Sequence, residues 1–160
     1  MKDFELIKAN YLKVRASIIK YLEKFDEERY FYQPTGKSNS AAWIVPHIVA
    51  FEKVMVTDQI EKYNFATFIS TEDVEKYKPG VDGFNFTKKD MLSKEEAIKL
   101  LTKAQEVSIQ FLDDVINQSD KISEIDTELA FSRYLLNFSH EMEHFGQLKY
   151  LVGTYNRTHI

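Results

Sequence analysis

Apolar side chains recur along this chain at steps of three and four residues, the spacing of helices that pack against other helices. One such segment runs from Asp3 to Glu27, and another starts near Ser38–Ser40 and reaches about Tyr63. No stretch alternates apolar and polar residues in the way that a half-buried strand does. The pattern therefore predicts an all-α protein.

Two further helices are predicted in the second half of the chain. Ser93 begins the sequence SKEE, which has the form of a capping box, and the helix that it opens ends near Asn117. Asp126 is a suitable N-cap for the last helix, and Gly153 is a suitable residue just beyond its end. Four long helices are therefore expected.

The lengths of the connections predict how these helices are arranged. Roughly ten residues join the first helix to the second and the third to the fourth, which suits antiparallel neighbours, whereas about 28 residues join the second to the third. A connection of that length can return along the whole bundle, with a short helical turn after Thr71. We expect a four-helix bundle with up-down-down-up topology, in which the second and third helices run parallel.

The composition suits one soluble domain over residues 1–160, with 44% apolar residues. A net charge of −4 without a dense run of Lys and Arg argues against a nucleic-acid or membrane partner, which leaves small molecules. The absence of cysteine excludes a thiolate ligand, a Cys nucleophile and disulfides. Since the first residues also lack an apolar signal-peptide core, we expect a cytoplasmic protein.

The strongest chemical signal is the sequence SHEMEHFGQL, in which His140 and His144 lie four residues apart. On a helix this spacing places both imidazoles on one face, where they can share a single divalent ion. A third ligand must come from elsewhere, and the chain has only two other histidines, His47 and His159.

His47 is the better candidate because the expected topology brings it to the depth of the pair. It lies roughly 10 Å from the start of the second helix, while His144 lies roughly 13 Å from the end of the fourth, and those two ends meet. His159 follows the last helix and is expected to be solvated. Three imidazoles leave an open position on the metal, with Zn or Ni expected first and Fe, Co or Mn also suitable.

With these residues the chain resembles the DinB/YfiT-like superfamily of metal-dependent four-helix bundles. The resemblance rests on WIVPHIVAFE around His47, on HEMEHFGQL around His140 and His144, and on the long connection between the second and third helices. It implies that these three histidines hold a divalent metal. Activities in the superfamily include metal-dependent transfer of low-molecular-weight thiols and a thiol-dependent isomerisation, and many members are classed as hydrolases.

Two other motif interpretations are weaker. His140 to His144 formally matches H-E-x-x-H, the zincin signature, but the extended metzincin pattern requires Gly and His where this chain has Gln147 and Tyr150. Glu141 to His144 also matches one E-x-x-H of a di-iron carboxylate bundle, and no second copy exists.

Four further residues are candidates for roles around the metal, each with a structural alternative. Glu141 could act as a general base on a metal-activated water. Alternatively, it could form a helix-helix salt bridge or lie solvated on the surface. Gln147 could orient a ligand or substrate, or form an interhelical hydrogen bond. Arg133 could meet an anionic substrate or remain solvated, and Trp43 could line the pocket or belong to the core.

The expected function is transfer of a low-molecular-weight thiol to an electrophile, in which the metal deprotonates the thiol. Metal-dependent hydrolysis by an activated water is one alternative. A non-enzymatic metal-binding or sensory bundle is the other. The expected partner is a small-molecule substrate, and exposed helix faces are compatible with a homodimer.

Overall fold

A computed structural model describes residues 2–57, 69–118 and 125–159. Its helices are α1 (Lys2–Leu22), α2 (Glu27–Phe31), α3 (Ala41–Glu52), α4 (Thr71–Tyr77), α5 (Lys94–Ile116) and α6 (Thr127–Thr158). A π-helical turn over Lys53–Thr57 continues α3, and 3-10 turns cover Gly83–Asn85 and Lys88–Asp90. The regular structure of the described residues is entirely helical, so the predicted all-α class is confirmed.

The long helices α1, α3, α5 and α6 form the bundle, with α1 and α3 each packed between α5 and α6. Ser40, just before α3, contacts Met91, just before α5, while Glu52 at the end of α3 contacts Ser108 further along α5. Helices α3 and α5 therefore run parallel.

The first and last helices also run parallel, since contacts between them advance together along both chains. Phe4 packs edge-on against Phe131, and Tyr21 packs against Phe145 at the other end.

Helices α3 and α6 run in opposite directions, since His47 contacts His144 while Met55, further along the chain, contacts Arg133, earlier in α6. The predicted up-down-down-up topology is therefore confirmed.

Two of the predicted helix starts carry the predicted caps. The Ser93 hydroxyl accepts a hydrogen bond from the Glu96 N–H, and the Glu96 carboxylate accepts one from the Ser93 N–H. The Ser93 hydroxyl also donates to the Glu96 carboxylate at 2.8 Å, and this bond, together with the one from the Ser93 N–H, lowers the pKa of Glu96. The Asp126 carboxylate likewise caps α6 by accepting from the N–H of Leu129. The short turn predicted after Thr71 is α4.

The predicted end of the first helix is wrong. The helix ends at Leu22, and a separate short helix, α2, follows behind the N-cap Asp26. Phe25 keeps the apolar spacing of α1 and is buried, but it packs from the turn between the two helices. The spacing of apolar residues alone could not distinguish a buried residue inside the helix from a buried residue in the turn that follows it.

The end predicted for the last helix is also wrong, because α6 continues through Gly153 to Thr158. Gly153 does not adopt the positive φ of a helix-ending glycine. Buried Tyr155 packs edge-on against Tyr32, with ring centroids 5.1 Å apart, which holds the additional turn. The predicted end of the second helix near Tyr63 lies outside the described residues.

The interior consists of two apolar clusters with a polar layer between them. One cluster includes Ile18, Ile48 and Leu148, and the other includes Phe4 and Phe111. The polar layer contains Tyr11, Arg15, Glu52, Ser108, Asn137 and Glu141. None of the described helices is long and apolar enough to cross a membrane.

Candidate metal centre

Three imidazoles meet between α3 and α6, as the sequence predicts. His140 Nε2 lies 3.1 Å from His47 Nε2 and 2.9 Å from His144 Nε2. One ring nitrogen from each residue lies within 4.8 Å of those of the other two. His47 and His144 are buried, while His140 is half-buried.

Two of the imidazoles are held so that their Nε2 lone pairs face the cluster. His47 Nδ1 lies 2.6 Å from the Tyr77 carbonyl oxygen, which can only accept, so Nδ1 carries the proton of the neutral ring. His144 Nδ1 lies 2.9 Å from Gln147 Oε1 and donates in the same way. Metal-binding histidines usually have such an acceptor at the second nitrogen.

His140 completes the set without an acceptor of its own. Its ring stacks on Phe51, with centroids 3.6 Å apart, and its buried Nδ1 has no hydrogen-bond partner among the described residues. Its Nε2 faces two lone pairs from His47 and His144. A cation between the three nitrogens would satisfy all of them.

The spacing of the nitrogens fits a metal ion. Two nitrogens bound at about 2.1 Å to a tetrahedral ion lie about 3.4 Å apart. The separations of 2.9 and 3.1 Å are slightly shorter, so small side-chain movements would admit the ion. The residues present therefore fit a three-imidazole metal site.

The surroundings keep the imidazoles neutral, which is the form that binds metals. Burial lowers the pKa of His47 to about 4, with a smaller contribution from His144. Burial also lowers the pKa of His140 to about 3, and the two neighbouring imidazoles add to this effect. The pKa of His144 is lowered by burial as well.

The crossover between α3 and α5 supports the centre from the α3 side. Trp43 stacks on His47, with ring centroids 4.4 Å apart, and Gly83 packs directly against the indole. The Tyr77 hydroxyl accepts from the Leu92 N–H, which fixes the segment that also presents the Tyr77 carbonyl to His47. Sequence reasoning missed Tyr77 and Gly83 because a backbone carbonyl and a close approach leave no residue pattern.

Alanine at Gly83 is expected to lower the free energy of unfolding by about 1–3 kcal/mol, the usual cost of overpacking. Its Cβ would lie 2.2 Å from Trp43 Cγ, so the indole must move away from His47. Trp43 is the only tryptophan, and a shift in its fluorescence reports the movement. Gly36→Ala is the control, since a Cβ there meets nothing within 4 Å. Equal stability and emission in both variants would contradict the expectation.

Glu141 belongs to the buried polar layer of the bundle. Its carboxylate is fully buried and accepts hydrogen bonds from Arg15 Nε at 3.0 Å, Arg15 Nη2 at 2.5 Å and Asn137 Nδ2 at 3.0 Å. Burial raises the pKa of Glu141, while Arg15 acts against this rise. The structure contains the helix-helix salt bridge that the sequence analysis gave as the alternative, and a general-base role of Glu141 stays a prediction.

The other three candidates contact the bundle as follows. Gln147 binds His144, as described above. Arg133 Nη1 donates to the Met55 carbonyl at 3.1 Å, which joins α6 to the π-helical turn. Trp43 is buried against His47. Substrate contacts of Arg133 and Trp43 stay predictions.

Fold and site together define a helical-bundle protein with a three-histidine candidate metal centre. Residues 10–148 match the model of the DinB superfamily, so the chain belongs to this superfamily. This confirms the resemblance seen in the sequence. The comparisons with curated proteins and with solved structures give no match.

Proposed function

We propose that this protein binds one divalent transition ion through His47, His140 and His144, and that it transfers a low-molecular-weight thiol to an electrophile. The convergence of three neutral imidazoles, two of them with anchored Nδ1 atoms, is the observation that carries the proposal. Three protein ligands leave one position open, the arrangement of catalytic rather than structural zinc sites.

The ion would lower the pKa of a thiol that occupies the open position. In the transfer the thiol would lose its proton to solvent, its sulfur would form a bond to the electrophilic carbon, and the leaving group would depart with the electrons of the broken bond. The chain has no cysteine, so the sulfur comes from a small molecule. Trp43 and Phe51, stacked on His47 and His140, shield two of the imidazoles from water.

Thiol transfer is favoured over hydrolysis because the described residues contribute no carboxylate to the imidazole cluster. Hydrolysis by activated water benefits from a protein base, and Glu141 is bound to Arg15 instead. A thiol whose pKa a bound ion lowers would lose its proton to solvent without such a base. Membership of the DinB superfamily, in which thiol transfer is known, also supports this choice.

Elemental analysis of the untagged protein, followed by turnover assays, tests the proposal. We expect about one bound metal per chain and conjugation of glutathione, cysteine or coenzyme A to a chromogenic aryl halide. Chelation should abolish the activity and added metal should restore it. Metal-dependent ester hydrolysis without a thiol would contradict thiol transfer, and bound metal without either activity would indicate a binding or sensory protein.

Replacing Gln147 with Leu is expected to weaken metal binding by roughly 10–100-fold while the fold is retained, the usual effect of losing a partner behind a metal ligand. The variant removes the acceptor that holds His144 Nδ1 at 2.9 Å. Competition with a chromophoric chelator measures the affinity. Gln110→Leu, on the exposed face of α5, is the matched control. Wild-type affinity in Gln147→Leu would show that this hydrogen bond does not tune the centre.

A further inference from the structure

Arg15 on α1 is completely buried and joins its helix to the other three helices of the bundle. Its Nη1 donates to the Leu101 carbonyl on α5 at 3.1 Å, and its Nη2 donates to Glu52 on α3 at 2.7 Å. Its Nε and Nη2 donate to Glu141 on α6 at 3.0 and 2.5 Å. One guanidinium thus fixes a point on each neighbouring helix.

Both carboxylates are held by further hydrogen bonds. Tyr11 donates to Glu52 Oε1 at 2.8 Å and Ser108 donates to the same oxygen at 2.5 Å. Asn137 Nδ2 donates to Glu141 Oε1 at 3.0 Å. The layer therefore has one defined geometry, and it lies between two apolar clusters whose packing alone is less directional.

The two carboxylates lie on the helices that carry the imidazoles. Glu52 follows His47 by five residues on α3, and Glu141 directly follows His140 on α6. A one-residue slip or rotation of α6 turns its side chains by about 100°, which would carry the histidines away from His47. The position of Glu141 beside Arg15 excludes that slip.

Stability alone does not account for this layer. It buries one guanidinium between two carboxylates, and apolar residues of similar volume often make such a layer equally or more stable. The planar fork of an arginine, in contrast, binds two carboxylates in one orientation, which apolar packing cannot specify.

We propose that Arg15 is a positioning residue for the metal centre. Its simultaneous ion pairs with Glu52 and Glu141 set the relative depth and rotation of α3 and α6 at which His47, His140 and His144 converge. The inference rests on the proposed function in that the centre binds a metal. Arg15 acts through the helices and does not itself contact the imidazoles.

Arg15→Lys is the main test variant because it keeps the positive charge but cannot bridge both carboxylates as a planar fork. In a cobalt(II) titration we expect at least tenfold weaker binding and an altered visible spectrum, with helix content and cooperative unfolding retained. Lys8→Met is the matched control on the same helix. It removes an ion pair to Asp113 that joins α1 only to α5, and should leave affinity and spectrum unchanged.

A second variant covers the case in which the lysine disturbs folding. Arg15→Met/Glu52→Met/Glu141→Met replaces the layer without leaving a buried charge, and should fold but bind cobalt weakly. Wild-type affinity and spectrum in either folded variant would overturn the proposal. The same loss of affinity in Ile18→Ala, a variant on α1 that destabilises the apolar core without touching the polar layer, would also overturn it, because general destabilisation would then suffice.

Failure of the wild-type protein to bind cobalt would refute the proposed function separately. A measurement without metal then still decides the role of Arg15. In the metal-free protein, NMR should detect short ring-proton distances from His47 to His140 and His144, whose ring centroids lie 5.0 and 4.9 Å away. Loss of these contacts in Arg15→Lys supports the positioning role, and their retention contradicts it.

Discussion

Alanine at His144 is expected to abolish tight binding of a divalent ion. The affinity should fall by more than roughly 100-fold, because losing a metal ligand weakens binding more than losing the hydrogen-bond partner of that ligand. Only His47 and His140 would remain in the cluster, with two open positions to be filled by solvent. His47→Ala and His140→Ala should behave alike, because each supplies one Nε2. Isothermal titration with zinc or nickel measures the loss.

His159→Ala is the matched control for this series. His159 is exposed, and its Nδ1 lies 3.0 Å from the Tyr155 carbonyl at the end of α6, outside the imidazole cluster. Its removal should leave metal affinity unchanged. Equal metal retention by all four alanine variants would refute the assignment of the three ligands.

The parts of this fold that the sequence predicts depend on local periodicity and chain length. The pair His140 and His144 follows from the helical repeat, and the capping box at Ser93 follows from four adjacent residues. The parallel run of α3 and α5 follows from a connection too long for a simple antiparallel turn. Together these place His47 at the depth of the pair without any knowledge of packing.

The supports of the centre could not be predicted in the same way. The group of Tyr77 that contacts His47 is its backbone carbonyl, which every residue has, so no residue type marks it in the sequence. The two residues are also 30 positions apart. The partner of Glu141 is Arg15, 126 positions away, so the sequence could only state a salt bridge as one alternative.

The helix end at Leu22 was missed because Phe25 keeps the helical spacing from the following turn. The end at Thr158 was missed because it depends on the packing of Tyr155 against Tyr32.

Met at Arg15 is expected to lower the free energy of unfolding by about 3–5 kcal/mol, the cost of breaking a buried ion pair from one side. The side chain fills similar space, but Glu52 and Glu141 stay buried as carboxylates without a counter-charge, and the Leu101 carbonyl loses a donor. Glu141→Gln should cost less, about 1–3 kcal/mol, because Arg15 remains paired with Glu52 but the amide nitrogen cannot accept the bond that the replaced oxygen accepted.

The order of these two effects follows from the charge balance of the layer, one guanidinium against two carboxylates. Removing the cation leaves two unpaired charges, whereas removing one anion leaves none. Urea unfolding of the metal-free proteins measures both values. The free energy of unfolding should fall with urea concentration at the same slope in the variants as in the wild type. Lys8→Met should cost under about 1 kcal/mol, since its pair with Asp113 is partly exposed. If Glu141→Gln destabilised the protein as much as Arg15→Met, the charge balance would not govern this layer.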